Sequence, residues 1–285
     1  MSQRSLKKLL PIVILVSILF ATYIELKNNI QQIKTENMKY QLKETSNSGQ
    51  EPNNYEEIDK TEMNNIQILK KLIREKEQKK WIGNWKSVER KDSYNNELQF
   101  YSKANVVIKG NTIDITSRKE NIDNKMYTSG LVESINSYQY GYFEFTIEIS
   151  EGNGIFPAIW FLPDNGNPLP EIDIFEMIGS EPYTFYGVIH FQNEGVQDSD
   201  EFEYKVSTKG QYIVALDWKP ELLTWYIDNK EIYSTTKCVP QEHMYIIINQ
   251  AIGGNWPGKP DDTIFPTHFK ILDANIESVF KKGRN

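Results

Sequence analysis

From Trp81 onward, the chain is a succession of short stretches rich in Tyr, Phe, Ile, Val and Thr, separated by Gly, Asn, Asp and Pro. Stretches of this length and composition, at this spacing, are typical of strands in a sandwich of two antiparallel sheets. The stretches are 105–108, 112–116, 141–149, 155–161, 171–178, 185–191, 212–218, 223–227 and 245–251. Turn residues at 109–111 and 228–230 predict two hairpins. The sequence therefore predicts an all-β domain over residues 81–285, with no long helix beyond Trp81.

The N-terminus carries a membrane-targeting pattern. Arg4, Lys7 and Lys8 precede an uncharged apolar run of 16 residues, 9–24. This length falls between a spanning helix of about 17–25 residues and the apolar region of a signal peptide, about 7–15 residues. The small residues that signal cleavage requires are lacking around Ala21. We therefore expect residues 1–25 to form an uncleaved single-pass anchor, with a cleaved signal peptide and secretion as the alternative.

The distribution of basic residues predicts that the rest of the chain lies outside the cell. Basic residues before the apolar run predict a cytoplasmic N-terminus and an extracellular C-terminal domain. Residues 26–80 are polar and almost free of aromatic side chains, so they cannot bury enough surface to fold alone. We expect a stalk here, with helix-like apolar spacing over 56–80 that would give a weak self-association surface or a solvated tether.

Composition excludes several functional classes. The formal net charge is −7, and no basic run occurs outside the first ten residues and the linker, so the chain lacks the electrostatic footprint for nucleic acid. The single cysteine, Cys238, excludes an intramolecular disulfide framework. The three histidines are too far apart in sequence for the short ligand spacing of a zinc site.

Three carboxylates occur within the six residues 171–176, which read EIDIFE. On a strand, Glu171 and Asp173 share one face while Ile172 and Ile174 point into the core. Glu176 would face the core unless one extra residue is inserted as a β-bulge near Ile174 and Phe175. The sequence thus predicts a bulge that brings all three acids to one face.

Such a face suits glycosidic bond cleavage. Two carboxyls about 5 Å apart allow one to attack the anomeric carbon while the other protonates the leaving oxygen. Between them, Asp173 can hydrogen-bond the attacking group or raise the pKa of a neighbour. The alternative is a solvated acidic face, which mutual repulsion disfavours. Rings and amides suited to a sugar cleft flank the acids: Phe156, Trp160, His190, Asn249, Asn255 and Trp256.

The domain resembles glycoside hydrolase family 16, the laminarinase and lichenase family. The likeness rests on NELQFY (96–101), YTSG (127–130), YGYFE (140–144), FPAIW (156–160), EIDIFE (171–176), DW (217–218), WYID (225–228) and NQAIGGNWPG (249–258). It implies a β-jelly-roll sandwich with a concave cleft and a reaction that retains anomeric configuration. It further implies Glu171 as nucleophile, Asp173 as its assistant and Glu176 as acid/base, with the bulged spacing typical of the β-1,3-glucanase branch.

The resemblance also implies accessory sites. The substrate contacts it carries over are Asn105, Trp160, His190 and Trp256. No cofactor is expected for catalysis, but some relatives hold a structural calcium for which the backbone of Gly110 and the side chain of Asp273 occupy matching places.

Two residues depart from the family pattern: Leu131 stands where an arginine is common, and Phe156 where a tryptophan is common. Both changes bear on the glycone side of the cleft, so the sequence leaves the linkage open.

The leading hypothesis is an endo-hydrolase of β-1,3 or β-1,3/1,4 glucan, with a polysaccharide as partner, the membrane as anchor and no nucleic acid. Two alternatives remain at this point. One is a transglycosylase, or a processing hydrolase of the host's own exopolysaccharide or capsule. The other is a non-catalytic surface carbohydrate-binding protein, because jelly rolls also serve as lectins.

Overall fold

The computed structural model describes residues 85–110, 112–207 and 210–284, in which turn residues separate fifteen strands. The strands are β1 (Trp85–Ser87), β2 (Gln99–Tyr101), β3 (Val106–Lys109), β4 (Thr112–Ser117), β5 (Tyr127–Ser129), β6 (Leu131–Ile149), β7 (Ile155–Pro163), β8 (Glu171–Glu176), β9 (Thr184–Asn193), β10 (Val196–Lys205), β11 (Tyr212–Lys219), β12 (Leu222–Ile227), β13 (Lys230–Thr235), β14 (Met244–Ile252) and β15 (Thr267–Gly283). Two 3-10 turns, Lys103–Asn105 and Asp262–Ile264, are the helical elements of the described ranges.

Both predicted hairpins are present, as β3–β4 and β12–β13. In the second, Asp228 and Asn229 have φ values of 52° and 65°. Two consecutive residues with positive φ form the turn whose twist matches that of paired strands, and Asn and Asp tolerate this conformation.

Antiparallel pairing joins thirteen of the described strands into one hydrogen-bonded sheet, while β2 and β5 form a separate parallel pair. The sheet is folded into two layers. We call the layer β10-β9-β8-β7-β14-β6 the cleft sheet. The back sheet continues from β6 through β11 and β12 to β13, and on the other side of β6 through β15 and β4 to β3.

Strand β6 belongs to both layers because its backbone turns at Tyr140 and Gly141. Residues before the turn pair with β14, and residues after it pair with β11. Gly141 has a φ of 143°, and a Cβ placed there would lie 2.4 Å from the carbonyl oxygen of Glu277 on β15. Only glycine allows both this φ and this close approach, so the 19-residue strand can cross from one sheet to the other.

The core lies between the two sheets and is largely aromatic. Rings from the two layers meet in three pairs whose centroids are each 4.9 Å apart: Phe143–Phe161, Phe185–Tyr212 and Phe202–Tyr233. Such aromatic pairs contribute beyond their buried area, by about 0.5–1.5 kcal/mol each. These contacts pack the cleft sheet against the back sheet.

Strand β8 carries the predicted bulge. Opposite β9, Asp173 faces Val188 and Glu176 faces Tyr186, so Ile174 and Phe175 together oppose the single residue Gly187. Opposite β7, the register shifts at the same point. Ile172, Ile174 and Phe175 are all buried in the core. The bulge therefore lets Glu176 return to the face that Glu171 and Asp173 occupy.

A tryptophan from the back sheet supports this bulge. The indole Nε1 of Trp225 on β12 donates a hydrogen bond of 2.9 Å to the backbone oxygen of Asp173. Gly187 leaves room for it, because a Cβ on that residue would lie 2.9 Å from this nitrogen and 2.5 Å from the Phe202 ring.

The all-β prediction is confirmed within the described ranges. All described residues belong to one compact unit, Asn65–Asn285. The predicted anchor (1–25) and stalk (26–80) lie outside the described residues. In the part of the chain that the structure describes, no helix has the length and apolar character needed to cross a membrane.

Replacing Gly187 by alanine should lower the free energy of unfolding by about 1–3 kcal/mol, because the added methyl group displaces Trp225 or Phe202 in a close-packed core. Gly210→Ala is the control, since nothing lies within 4 Å of a Cβ at that position. Urea unfolding followed by fluorescence measures both. Equal stability of the two variants would contradict this account of the bulge.

Candidate active site

Glu171 and Glu176 of β8 line a cleft of ≈ 720 Å³ on the face of the cleft sheet that they share with Asp173. This volume is in the range of ligand sites in proteins. The cleft lining includes Glu171 and Glu176 from β8; Tyr186, Val188 and His190 from β9; Glu201 and Glu203 from β10; Phe156 from β7; and the loop residues Asn95, Glu97 and 253–257. Asp173 lies between the two glutamates, 2% exposed.

Strand register orders these side chains in rows across the sheet. Glu171 lies opposite His190, and Glu176 lies opposite Tyr186. In the middle row, Asp173 lies opposite Val188 on one side and Trp160 on the other. A sugar chain lying along the cleft would meet the rows in succession.

Burial gives the three carboxyls different proton affinities. It raises the pKa of Glu171 from an ordinary value of 4.5 to about 7. Burial, followed by the charges of Glu171 and Glu201, raises the pKa of Glu176 to about 8. Burial also holds the pKa of Asp173 well above its usual range, with further contributions from Glu176 and Glu171. Glu171, whose side chain is 26% exposed, is thus ionised before Glu176 as the pH rises.

His190 adjoins the acids. Its Nε2 is 3.5 Å from Oδ2 of Asp173 and 3.8 Å from Oε1 of Glu171. Burial lowers the pKa of His190, so the ring is neutral at neutral pH and one of its nitrogens can accept a proton. The Asp173 Oδ2 is buried without a hydrogen-bond partner among the described residues.

Aromatic rings form one wall of the cleft. Trp256 is 44% exposed, and its ring centroid lies 5.2 Å from that of Phe156 and 4.9 Å from that of Tyr186. An exposed indole held by two neighbouring rings offers a flat apolar surface with little conformational freedom left to lose. This geometry suits stacking against the apolar face of a sugar ring.

Trp160 is also held in a fixed orientation. Its Nε1 donates to Oδ1 of Asn249 at 2.7 Å, and the Asn249 amide donates to the Tyr101 hydroxyl at 3.0 Å. Trp160 packs against a cluster formed by Tyr101, Leu131 and Ile247. Its indole therefore lies beside Asp173 but is not part of the cleft lining.

Of the four predicted substrate contacts, the structure brings His190 and Trp256 into the cleft lining and Trp160 next to Asp173. The structure does not place Asn105, the fourth predicted contact, in the cleft lining. It is 1% exposed, and its amide nitrogen donates to the Thr116 carbonyl at 2.6 Å and to the Thr128 hydroxyl at 3.0 Å. These bonds tie a 3-10 turn to neighbouring strands, so Asn105 has a structural role in the interior and is not part of the cleft lining.

The two departures from the family pattern differ in position. Phe156 lines the cleft. Leu131 lies opposite Asn249 but is fully buried in a cluster with Tyr101 and Ile247. Only the first of them meets the cleft directly.

The residues identified only in the structure are the acids of β10 and the phenol of Tyr186. Glu201 and Glu203 occupy alternate positions of a strand with few apolar residues, which therefore lacks the composition from which strands are recognised. The sequence signal that could have indicated this strand was the spacing of two residues between its acids. Glu97 is a further acid of the lining, with a pKa raised by burial.

Two places could hold a metal. Within the described ranges, Glu171, Asp173 and His190 each offer a ligand atom, and these atoms lie within 4.8 Å of one another. For calcium, pairing of Ile113 with Ile271 brings Gly110 and Asp273 to the same end of β4 and β15. Together they supply only two of the roughly six to eight oxygens that calcium takes, and Oδ1 of Asp273 already accepts from the Ala274 N–H. The calcium site stays a prediction.

Two relatives of known sequence carry the names of a glycanase and a glucanase. The chain is 35% identical over 140 residues to endo-1,3-1,4-beta-glycanase EglC of Rhizobium meliloti, covering 48% of this chain and 30% of that protein. It is 28% identical over 215 residues to a beta-glucanase of Rhodothermus marinus, covering 62% and 72% respectively. The chain thus spans under a third of the length of EglC.

Solved structures share the fold. The laminarinase of Rhodothermus marinus superposes with a TM-score of 0.63 at 26% identity, covering 68% of this chain and 90% of that one. The endo-beta-1,3-glucanase of Pyrococcus furiosus gives 0.61 at 27% identity, covering 68% and 88%. Family comparison matches residues 94–270 to the glycosyl hydrolases family 16. Because this match spans more than half of the chain and contains the whole bulged strand, the chain belongs to glycosyl hydrolase family 16.

Proposed function

We propose that the chain is a retaining endo-hydrolase of β-1,3 or mixed β-1,3/1,4 glucan. The observation that carries the proposal is the bulge, which turns Glu171 and Glu176 to the same cleft while burial gives them different pKa values. The names of the related glucanases and laminarinases support the substrate class.

In the first step, ionised Glu171 attacks the anomeric carbon of the sugar, and the bond to the leaving oxygen breaks. Protonated Glu176 gives its proton to that oxygen, so the shortened chain leaves as an alcohol. The order of the pKa values, about 7 for Glu171 and about 8 for Glu176, fits these roles. The product of this step is a covalent glycosyl ester on Glu171.

In the second step, Glu176, now ionised, takes a proton from water, and the resulting hydroxide attacks the anomeric carbon from the opposite side. The ester bond breaks and Glu171 regains its charge. Two inversions give net retention of configuration. Asp173, the most buried of the three acids, keeps its proton throughout and can donate a hydrogen bond to the Glu171 carboxylate as the ester forms and breaks.

Purified protein should release reducing sugar from laminarin or lichenan, and Glu171→Gln should lower this rate at least about a thousandfold because the nucleophile is lost. Glu221→Gln is the matched control, because Glu221 is exposed in a turn outside the cleft lining. Proton NMR of the first product should show the β-anomer.

Other outcomes would identify the alternatives. An α-anomer as first product would contradict the role of Glu171. Elongated products with an added acceptor would indicate a transglycosylase, and turnover only of the host's own exopolysaccharide would indicate a processing enzyme. Equal glycan binding by wild type and Glu171→Gln, without turnover by either, would indicate a carbohydrate-binding protein.

The pH profile tests the two roles separately. The value of kcat/KM should rise as Glu171 ionises through about 7 and fall as Glu176 loses its proton through about 8. With an aryl glycoside, whose leaving group needs no proton, Glu176→Gln should remove the fall at high pH. A wild-type optimum near pH 5 would contradict the raised pKa values.

The same shifts make stability depend on pH. Both carboxyls have folded pKa values above the ordinary 4.5, so the folded state binds more protons than the unfolded state between these values. The free energy of unfolding should therefore fall as pH rises from about 4.5 through about 8. Glu176→Gln should lessen that fall in urea titrations.

We further propose that residues 1–25 anchor the protein in the cell membrane, with the catalytic domain outside. The support is the apolar run, which basic residues precede. The full-length protein should stay in the membrane fraction after alkaline carbonate extraction and should be degraded by protease added to intact cells. Recovery of shortened protein from the medium would indicate a cleaved signal peptide instead.

A structural calcium at Gly110 and Asp273 is likewise retained as a proposal. Its support is the meeting of the two residues at one end of β4 and β15. An unchanged Tm upon removal of calcium by a chelator would exclude it.

A further inference from the structure

Strand β10 carries more acid than the family's catalytic set requires. Its central residues alternate between the two faces of the cleft sheet, with Glu201 and Glu203 toward the cleft and Asp200 and Phe202 toward the back sheet. Asp200 is neutralised by Lys237, whose Nζ lies 3.0 Å from its Oδ1. Among the described residues, no lysine or arginine forms an ion pair with Glu201 or Glu203, and both are exposed.

The register places these two glutamates beside the catalytic rows. Glu201 lies opposite Val188, which lies opposite Asp173, and Glu203 lies opposite Tyr186, which lies opposite Glu176. Two strand spacings separate β10 from β8, or about 10 Å. A glycan in contact with the catalytic acids therefore lies within about one strand spacing of both glutamates.

Charge in this cleft is all of one sign. The described lining contains Glu97, Glu171, Glu176, Glu201 and Glu203 and no lysine or arginine. A concave surface with a single sign of charge focuses the field on whatever enters it. The charge of Glu201 acts on two neighbouring groups of the cleft, because it favours the protonated forms of Glu176 and His190.

We propose that Glu201 and Glu203 are specificity determinants that restrict the cleft to uncharged glycans by repelling chains with carboxylate, sulfate or phosphate groups. The inference rests on the proposed function, because it names the substrate class of the same cleft. It disfavours acidic capsules and sulfated polysaccharides as substrates. A neutral glucan carries no charge to be repelled.

The test compares laminarin with lightly carboxymethylated laminarin, which shares the backbone and adds negative charge. The ratio of kcat/KM for the two substrates should rise in favour of the charged one by about three- to tenfold in the double variant Glu201→Gln/Glu203→Gln at low salt. Asp198→Asn removes one charge from the same strand on the side away from the cleft, and should leave the ratio unchanged.

Salt gives an independent measurement on the wild type. Electrostatic repulsion extends about 30 Å at about 0.01 M salt and about 3 Å at about 1 M. The wild-type ratio should therefore rise with salt, and the double variant should show a smaller change. A ratio that responds to neither the substitutions nor salt would overturn the inference.

Failure of the inference can be separated from failure of the proposed function. Hydrolysis of laminarin with equal use of the charged polymer would overturn only the inference. If no glucan is hydrolysed, affinity electrophoresis in gels that contain either laminarin or the carboxymethylated polymer compares the Glu171→Gln variant with the triple variant that adds Glu201→Gln and Glu203→Gln. The measured ratio is then the retardation by the charged polymer divided by the retardation by laminarin. If both polymers retard the Glu171→Gln variant equally, the inference is overturned.

Discussion

One inserted residue in β8 is the constraint on which the rest of the site depends. Without it, Glu176 would point into the core and Phe175 would point into the cleft. With it, Ile172, Ile174 and Phe175 fill the core while three acids face a common cleft. The structure accommodates the insertion by placing Gly187 across from it and the Trp225 indole beneath it. The back sheet thus contributes to the site without reaching the cleft.

Burying three carboxyls side by side raises their pKa values, and this shift is the basis of the proposed chemistry. Because burial disfavours charge, the carboxyls share protons at pH values where isolated carboxyls would all be ionised. The most open of the three, Glu171, ionises first, and the more enclosed Glu176 retains its proton. In the proposed mechanism, the difference between the attacking and the donating carboxyl therefore arises from depth of burial rather than from residue type.

Much of this arrangement could be predicted from sequence, because its causes are local. The bulge follows from the position of Glu176, which breaks the period of two set by Glu171 and Asp173, and the hairpin at Asp228 and Asn229 follows from turn chemistry. Strand β10 was not predicted, because this largely exposed strand has few of the β-branched and aromatic residues by which strands are recognised. The turn of β6 at Gly141 depends on contact with Glu277 of β15, which lies 136 residues later in the chain. Asn105 was misassigned because sequence likeness does not show which side of a strand end a side chain occupies.

Strand β10 also ends the hydrogen-bonded order of the cleft sheet. A terminal strand leaves backbone donors and acceptors free to pair with another chain, a route to aggregation that natural sheets block with charged side chains. β10 has acids on both of its faces, at 198, 200, 201 and 203. A second copy of the same strand arriving at this edge would meet like charges on each face. The acidity of this strand thus favours a protein that stays dispersed when many copies are crowded together.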